Sequence, residues 1–319
     1  MTTKEKLLYL LEKNIGSEVS GEEAAKTLCI SRVAVWKAVE ALKKDGFLID
    51  ALRSKGYALS SDCDKLSEGR IRAHLPESLS EMPIFAYDSV DSTDLAAKRL
   101  AGDFSGRALF AANEQTNGRG RLGRSFFSPA GDGLYLSFLF SSPSPLETLN
   151  AVTPYAAVAV SGAIERICGI SGVGIKWVND LQIEGKKICG ISAEAVSPLF
   201  AGGENKIVIG VGINLSNDRF PEELKDTAGS LGVRVNRCAL AAEIAARLSR
   251  YADEPANRAF MKEYTARSVV IGKRVRLNKW GDVIEGTVAG FDENGGLLLD
   301  IGEEKPRLFT GGEITLRFC

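Results

Sequence analysis

Histidine is almost absent from the 319-residue chain, which contains only His74. Nucleophilic catalysis by a Ser-His-Asp or Cys-His set would have to use this one residue as its base, and a metal site built from several histidines is excluded. His74 precedes Leu75 and Pro76 and has no acidic or hydroxyl residue beside it. We therefore expect it to be a structural residue at the surface or at a boundary.

Paired cysteines, an excess of one charge and long apolar runs are also lacking. The six cysteines form no C-x-x-C pair, so we expect reduced, mostly buried thiols rather than a disulfide framework or a zinc site. The net charge of −1 argues against a chain that coats nucleic acid, but it allows one local basic face. The longest uncharged stretch, 148–164, is too short and too polar for a membrane span, and the N-terminus lacks a signal-peptide core. These absences favour a cytoplasmic protein with no membrane association.

The chain is long enough for two or three domains of about 100–200 residues. Residues 60–67 are polar and mark a linker, whereas short alternating runs after residue 271 indicate a small antiparallel barrel. We therefore predict an α+β protein with domains 1–64, 65–270 and 271–319. The middle domain has strand-like runs at 84–87, 108–112, 134–140, 174–178, 187–194 and 206–212 and helical patterns at 94–100, 151–167 and 239–251. The barrel runs are 274–277, 285–288, 297–301 and 314–318.

The first sixty residues predict three short helices and a hairpin. Residues 4–13 carry leucines on one stripe of an amphipathic helix. An S-x-x-E capping box at Ser20 starts a second helix. Ser31 can cap a third helix, 32–45, and Gly46 stands where a left-handed residue would end it. Two short helices joined by so tight a turn are typical of a helix-turn-helix.

The third helix has one apolar face and one basic face. Val35, Val39 and Leu42 recur at i, i+4 and i+7 and should pack against the other two helices. The other face is basic with one aromatic residue, and a basic turn between the two strands that follow is typical of a wing. The alternative is a plain interaction module. We predict DNA binding by Ser31, Arg32, Val33, Trp36, Lys37, Arg53 and Lys55.

The densest pattern is the loop Gly118–Arg124, with the sequence GRGRLGR. It matches G-x-G-x-x-G, but its flanks lack the strand and the helix of a dinucleotide-binding site. No kinase or Walker motif accompanies it. Glycines let backbone N–H groups approach a ligand, and arginine binds carboxylate and phosphate oxygens with two N–H groups. The loop suits a substrate that carries both groups, and a solvated basic loop or a second nucleic-acid contact is the alternative.

Three more clusters could contribute to the same site. KWVND at 176–180 and GKKICGI at 185–191 predict strands joined by an Asn-Asp to Gly-Lys turn. The lysines and the carboxylate there could neutralise phosphates and position a metal or a ribose, with a salt-bridged hairpin as the alternative. GVGIN at 210–214 is a strand whose glycines let a ligand lie against the backbone. DSVDSTD at 88–94 offers hydroxyl groups at a helix start, where they also serve as ordinary N-caps.

Together these motifs resemble the biotin–protein ligase family along essentially the whole chain. Gln115 with GRGRLGR resembles the family's Q-x-x-G-R-G-R-x-G-R loop, and KWVND resembles its K-W-P-N-D. GKKICGI resembles G-K-K-[LI]-x-G-I, GVGIN resembles G-[IV]-G-x-N, and DST at 91–93 resembles D-S-T-N. GGEI at 311–314 resembles the signature of the C-terminal barrel. With the winged helix in front, the resemblance is to the bifunctional members, which also repress biotin genes, and it implies that the barrel is SH3-like.

The resemblance implies that the protein uses ATP and Mg²⁺ to convert its substrate biotin to biotinoyl-5′-AMP and transfers biotin to a lysine of a biotin carboxyl carrier protein. It also implies that the adenylate-bound homodimer binds operator DNA. Lys187 and Arg121 are the implied catalytic residues, and Asp180 is the implied Mg²⁺ ligand. The implied biotin contacts are Ser92, Thr93, Asp94, Gln115, Arg119, Gly120, Arg121, Lys187, Gly190, Gly210 and Gly212. The implied ATP and adenylate contacts are Arg119, Arg121, Arg124, Phe126, Lys176, Asn179, Asp180 and Asn214.

Three residues depart from the family pattern, and none of these changes removes a charged catalytic group. Phe126 replaces Trp and keeps an aromatic face to cover adenine. Val178 replaces Pro and could relax the turn before Asn179. Asp94 replaces Asn and adds negative charge near the ligand. Two alternatives remain: a ligand-sensing transcription factor without catalysis, and a ligase for lipoate or another acyl group on the related fold.

Overall fold

The computed structural model describes residues 1–52, 55–102, 104–144, 146–196, 204–217, 219–279 and 282–316. Its N-terminal part consists of helices α1 (Thr3–Lys13), α2 (Gly21–Thr27) and α3 (Arg32–Lys44) and the antiparallel strands β1 (Ile49–Leu52) and β2 (Gly56–Leu59). The predicted caps are present, because the hydroxyl groups of Ser20 and Ser31 accept hydrogen bonds from the backbone N–H groups three residues later. Val35, Val39 and Leu42 are buried in one apolar cluster with the leucines of α1. The helix-turn-helix prediction is confirmed.

The polar segment 60–67 is packed against the rest of the chain, which corrects its description as a plain linker. Cys63 and Leu66 are buried. Arg237 donates hydrogen bonds to the Asp64 side chain and to its carbonyl oxygen, at 2.9 and 2.6 Å. Asp64 of this segment therefore binds an arginine that lies 173 residues further along the chain. The predicted boundaries at 64 and 270 stay predictions.

The central part supplies most of the buried core. In chain order it comprises α4 (Glu68–His74), β3 (Ile84–Tyr87), α5 (Thr93–Leu100), β4 (Arg107–Ala112), β5 (Gly133–Ser142), α6 (Val152–Cys168), β6 (Gly174–Lys176), β7 (Asp180–Ile183), β8 (Lys186–Val196), β9 (Asn205–Asn214), α7 (Arg237–Asp253) and α8 (Met261–Ala266). The strands form one seven-stranded sheet in the order β3-β4-β5-β9-β8-β7-β6, in which only the β3–β4 pair is parallel. Short 3₁₀ turns lie at Glu77–Leu79, Arg121–Gly123, Leu146–Ala151 and Glu222–Leu224.

The two faces of this sheet are covered differently. Helices α4, α6 and α7 pack on one face in the largest apolar cluster of the described residues. On the other face, Ala96 and Ala97 of α5 pack against Ala108, Phe110 and Leu139 of the sheet. Since α5 covers only part of this second face, a stretch of β8 and β9 beside it is not covered by a helix. Across the residues that the structure describes, no helix is long and apolar enough to span a membrane.

Two helices and two strands of the structure were not predicted. One of these strands, β7, lies where a turn was expected near the site. The turn expected between Asn179 and Lys186 contains strand β7, and the chain reverses at Glu184 and Gly185, which both have positive φ. Asp180-Leu181-Gln182-Ile183 does alternate polar and apolar residues, as a half-buried strand should, but the run is short. Helices α4 and α8 and strand β13 (Arg307–Phe309) were missed for the same reason, since they span only 7, 6 and 3 residues.

The C-terminal part is a five-stranded antiparallel sheet. Its strands are β10 (Arg274–Lys279), β11 (Asp282–Phe291), β12 (Leu297–Asp300), β13 and β14 (Glu313–Leu316), in the order β13-β12-β11-β10-β14. Its apolar cluster includes Trp177 of the central part, whose indole N–H donates to the Gly295 carbonyl at 2.8 Å. The sheet is therefore joined to the loop that follows β6.

A buried polar cluster joins α1 to the central part. The Glu12 side chain is fully buried and accepts hydrogen bonds from Arg70 Nε at 2.7 Å and Asn236 Nδ2 at 2.6 Å. His74 Nε2 lies 2.8 Å from the same carboxylate, so the one histidine lies at a boundary, as expected. Burial raises the pKa of Glu12, but the hydrogen bonds from His74, Arg70 and Asn236 and the Arg70 charge outweigh it and lower the pKa to about 2. The cluster ties three separate helices together.

Glu12→Gln should lower the free energy of unfolding at pH 7 by about 3 kcal/mol, because it leaves Arg70 buried without its counter-charge. The stability that the Glu12 charge contributes is complete above pH 4.5 and is lost as the pH falls towards 2. Urea unfolding between pH 3 and pH 7 should therefore show a smaller acid-induced loss in the variant. Asp45→Asn, which breaks the exposed Lys4–Asp45 pair, is the control and should change little at pH 7. A parent-like urea midpoint for Glu12→Gln at pH 7 would contradict the prediction.

Candidate functional site

The floor of the site is the sheet face opposite the large apolar core. Gly212 of β9 pairs with Gly190 of β8. Two residues earlier, Gly210 pairs with Ser192 of β8 and Ser137 of β5. Directly paired residues point to the same face, and so do residues two apart on one strand. These small residues therefore form one shallow surface, and we call Gly190, Gly210 and Gly212 the glycine floor.

Side chains already lie close against the glycine floor. A Cβ atom on Gly210 would overlap the Asp94 carboxyl group, and a Cβ atom on Gly212 would overlap the Phe126 ring. The ring therefore rests where biotin was expected, whereas Phe126 was expected to cover adenine. A ligand that lies on the glycine floor requires this ring to move.

One end of the site is lined by neutral polar groups. Gln115 Oε1 accepts hydrogen bonds from the Thr93 backbone N–H at 2.9 Å and from the Thr93 hydroxyl at 3.1 Å. Gln115 Nε2 donates to Ser128 Oγ at 2.9 Å, which fixes the orientation of the amide. Thr93 begins α5, so the helix N-terminus and the strand–loop junction at Gln115 are held together at this end.

Asp94 is a buried carboxyl group in the same pocket. Ser137 Oγ donates to its Oδ1 at 2.5 Å, and Ser192 Oγ donates to its Oδ2 at 3.1 Å. Burial raises the pKa of Asp94, while these two hydroxyl groups oppose the rise. Neither serine was predicted from the sequence. Small residues at every second position, as in Gly190-Ile191-Ser192, are the signal that could have identified Ser192.

The other end of the site carries the cations. Lys187 Nζ lies 2.7 Å from Asp180 Oδ1. Arg121 Nη1 donates to Asn179 Oδ1 at 2.7 Å, and Asn179 Nδ2 in turn donates to the Ile191 carbonyl at 2.8 Å. Lys187 and Arg121 therefore reach the pocket from different elements, and each is held by a neighbouring side chain. An anionic group at this end would meet two cations.

The glycine-rich loop is closed by its own backbone. Gly120 N–H donates to the Arg124 carbonyl at 2.7 Å, and Phe126 N–H donates to the Gly118 carbonyl at 2.9 Å. Gly123 has a φ of +76°, which favours glycine. The close turn directs Arg121 towards the sheet and places the Phe126 ring over the glycine floor.

Most of the predicted ligand contacts share one pocket. Those that line it are Thr93, Asp94, Gln115, Arg119, Gly120, Arg121, Phe126, Asn179, Lys187, Gly190, Gly210 and Gly212. Asp180 is near it through its ion pair with Lys187. The pocket was therefore largely predictable from sequence, although the role of each residue stays a prediction.

Besides Asp180, four predicted contacts lie outside the pocket lining. Ser92 is buried at the start of α5, and Lys176 lies at the end of β6. Arg124 forms an ion pair with Glu313 of β14, and Asn214 Nδ2 donates to the Gly229 carbonyl at 2.9 Å. The side chains of Arg124 and Asn214 are engaged by the protein itself, so these two would contact a nucleotide only after a rearrangement.

The predicted DNA face is exposed. Arg32, Val33, Trp36 and Lys37 are exposed on α3, and Ser31 caps that helix. Lys55, on the wing, lies 3.5 Å from Glu18. Arg53 lies outside the described residues.

The one residue predicted as a metal ligand, Asp180, lies near the pocket. Within the described ranges, no three His, Cys, Asp or Glu side chains could together hold a metal ion. Asp180 offers a single carboxylate, which Lys187 neutralises. A metal here would need most of its ligands from a substrate or from water.

Sequence models of known families match all three parts of the chain. The Biotin/lipoate A/B protein ligase family matches residues 88–214, which contain the glycine-rich loop and the glycine floor. An HTH domain matches residues 3–58. The Biotin protein ligase C terminal domain matches residues 270–317.

Individual relatives extend the similarity over almost the full length. The bifunctional ligase/repressor BirA of Bacillus spizizenii is 34% identical, covering 97% of this chain and 98% of that protein. BirA of Escherichia coli is 30% identical over 98% of this chain and 96% of its own length. The structure of biotin protein ligase from Aquifex aeolicus in complex with biotin and ATP matches with a TM-score of 0.62 and 31% identity, covering 74% of this chain and 98% of that one. The chain therefore belongs to the biotin protein ligase family, with the bifunctional ligase/repressors as its full-length relatives.

Proposed function

We propose that the protein joins biotin to ATP as biotinoyl-5′-AMP, transfers the biotinoyl group to a lysine of a biotin carboxyl carrier protein, and represses biotin genes when the adenylate is bound. The observation that carries this proposal is the pocket in which Lys187 and Arg121 face the glycine floor. Because the reaction needs ATP and the repressor must reach DNA, we infer that the protein is cytoplasmic.

The polarity of the pocket orients biotin in this proposal. Its neutral end, with Thr93 and Gln115, suits the ureido ring, which both donates and accepts hydrogen bonds. Its cationic end suits the carboxylate, and an arginine can bind such a group with two N–H groups. The bicyclic ring would lie on the glycine floor in place of Phe126.

The first step is the attack of the biotin carboxylate on the α-phosphorus of ATP. A C–O–P bond forms, the bond to pyrophosphate breaks, and pyrophosphate leaves with the electron pair. The carboxylate and the phosphate are both anions, so the main task of the protein is to neutralise and align them. Lys187, Arg119 and Arg121 supply positive charge on one side of the pocket.

Binding an anion would release each cation from its present partner. Lys187 would exchange Asp180 for the carboxylate, and Arg121 would exchange Asn179 for phosphate oxygen. Asp180 would then be free to hold one Mg²⁺, with water as further ligands, and the ion would neutralise charge on the ATP phosphates. The fit is adequate, because Mg²⁺ in nucleotide sites uses one or two carboxylates plus substrate oxygens.

In the second step the amine of the carrier lysine attacks the acyl carbon and AMP leaves with the electron pair. The protein supplies no covalent nucleophile. The one histidine is bound to Glu12 at the α1 boundary and takes no part. Loss of a proton by the attacking lysine completes the amide bond.

The repressor activity would depend on dimerisation. One winged helix makes few phosphate contacts, whereas a two-fold dimer presents two recognition helices to two half-sites. We infer that the adenylate orders the glycine-rich loop into a surface that pairs with a second copy. Ordering a loop costs roughly 1–2 kcal/mol per residue, which the ligand contacts must offset.

One incubation distinguishes the ligase from the two alternatives. The full chain is mixed with ATP, Mg²⁺ and either biotin or lipoate, and the acyl-adenylate is measured. We expect an acyl-adenylate and pyrophosphate to form with biotin and not with lipoate. Binding of biotin without adenylate would favour a ligand-sensing transcription factor, and an adenylate of lipoate would favour the related ligase.

Lys187→Ala should lower adenylate formation by at least about 100-fold, because it removes positive charge from the place where anionic charge develops. Lys186→Ala is the matched control, since this neighbouring lysine points away and lies 3.4 Å from the Lys225 carbonyl. Single-turnover formation of the adenylate is the measurement. Near-normal formation by Lys187→Ala would reject its assignment.

Arg121→Gly should still form adenylate but release it, because the side chain that crosses from the loop to Asn179 is lost. The expected result is free adenylate in solution and biotin on lysines of unrelated proteins. Arg166→Ala, on exposed α6 surface, is the control and should retain the intermediate. If Arg121→Gly kept its adenylate as tightly as the parent, the residue would not close the site.

DNA affinity should rise when biotin and ATP are both present. The probe is a set of duplexes selected from a random-sequence pool by the full chain with biotin, ATP and Mg²⁺. We expect mostly monomers without ligands and dimers with them, measured by analytical ultracentrifugation, and binding that weakens steeply with salt. Equal DNA affinity in both conditions would leave DNA binding intact and remove its coupling to the ligand.

A further inference from the structure

Two large apolar side chains lie uncovered near the start of α3. Val33 is 61% exposed and Trp36 is 54% exposed, although the other face of the same helix is almost completely buried. Residues three apart on a helix are neighbours on its surface. Val33 and Trp36 therefore form one apolar patch, which we call the apolar pair.

Cations border the apolar pair. Arg32 and Lys37 are exposed on the same helix, and among the described residues neither forms an ion pair or a side-chain hydrogen bond. By contrast, Lys43 near the end of this helix lies 3.8 Å from Glu40. The charge around the apolar pair is thus free to meet an anionic partner.

We propose that Val33 and Trp36 recognise thymine in the DNA major groove by contacting its C5 methyl group. The inference rests on the proposed DNA-binding function. Residues at the N-terminal end of a recognition helix contact base edges. Thymine is the base that presents a methyl group there, and apolar side chains contact it. Arg32 and Lys37 would bind the phosphates on either side.

A second copy of the chain fits this surface less well. Pairing the two patches around a two-fold axis would bring two copies of Arg32 and Lys37 together, and the nearest carboxylate on α3, Glu40, lies 3.8 Å from Lys43. Like charges placed together disfavour such an interface. DNA instead offers anionic phosphates next to an apolar methyl group.

The test compares thymine with uracil, which lacks only the methyl group. The full chain with biotin, ATP and Mg²⁺ selects duplexes from a random-sequence pool, and each thymine of the selected site is then replaced singly by uracil. We expect at least one position in each half-site where this change weakens binding by about fourfold, as expected for one buried methyl group.

Variants show which side chains read the methyl group. Val33→Ser and Trp36→Gln should each weaken DNA binding. Each variant should also bind thymine and uracil duplexes equally at the base position that the replaced side chain contacts. Lys37→Ala is the control and should weaken binding to both duplexes equally while reducing its salt dependence. Because all three residues are exposed, the thermal unfolding midpoints should match the parent.

Each failure has a separate meaning. Equal binding of thymine and uracil duplexes at every position would overturn the recognition of thymine and leave DNA binding in place. A difference that persists unchanged in both variants would assign it to other residues and also overturn the inference. If the pool gives no enriched duplex, the proposed DNA-binding function fails together with the inference.

Discussion

The site depends on a close approach of side chains to bare backbone at Gly210 and Gly212. The carboxyl group of Asp94 and the ring of Phe126 occupy the space that a Cβ atom would need at these two positions. Glycine weakens a strand interior, because it has no side chain to pack and loses more conformational freedom on folding. Here the loss is offset by the neighbouring strands, since β9 is paired along its whole length with β5 and over residues 206–213 with β8. A flat, small-residue surface can therefore persist in the middle of a stable sheet.

The carboxyl group and the cations of the pocket lie apart from each other. The carboxyl group nearest the glycine floor, that of Asp94, is hydrogen-bonded to two serine hydroxyls, whereas the cations come from the loop and from the start of β8. Arg121 rests on the neutral amide of Asn179, a weaker partner than the phosphate that we propose it binds, whereas Lys187 would exchange one carboxylate for another. A carboxylate and a phosphate can replace those partners without exposing a buried charge. We propose that this arrangement lowers the free-energy cost of bringing two anionic reactants together and requires no covalent chemistry from the protein.

Local features of the fold could be predicted from the sequence, and long-range features could not. The caps at Ser20 and Ser31 follow from residues three positions apart, and the glycine-rich loop follows from one continuous motif. The pocket was predicted because the family motifs named its residues together. Nothing in the local pattern shows that Arg70 meets Glu12, which is 58 residues away. The polar segment before Arg70 therefore looked like a linker. Phe126 was placed in the correct loop, but a motif does not state on which surface its ring rests.

The contacts of α1 and of segment 60–67 limit how the DNA-binding part can move relative to the site. Glu12 is bound to both α4 and the start of α7. Arg237, which begins α7, binds Asp64 and also donates to the Gly133 carbonyl at the start of β5. Gly133 pairs with Asn214, the last residue of β9, which carries Gly210 and Gly212 of the glycine floor. The recognition helix is therefore connected to that strand through buried or part-buried contacts rather than through a free linker. In a dimer formed by the central parts, the spacing of the two recognition helices would then be set by the interface, so that ligand-dependent pairing could select operators of one half-site spacing.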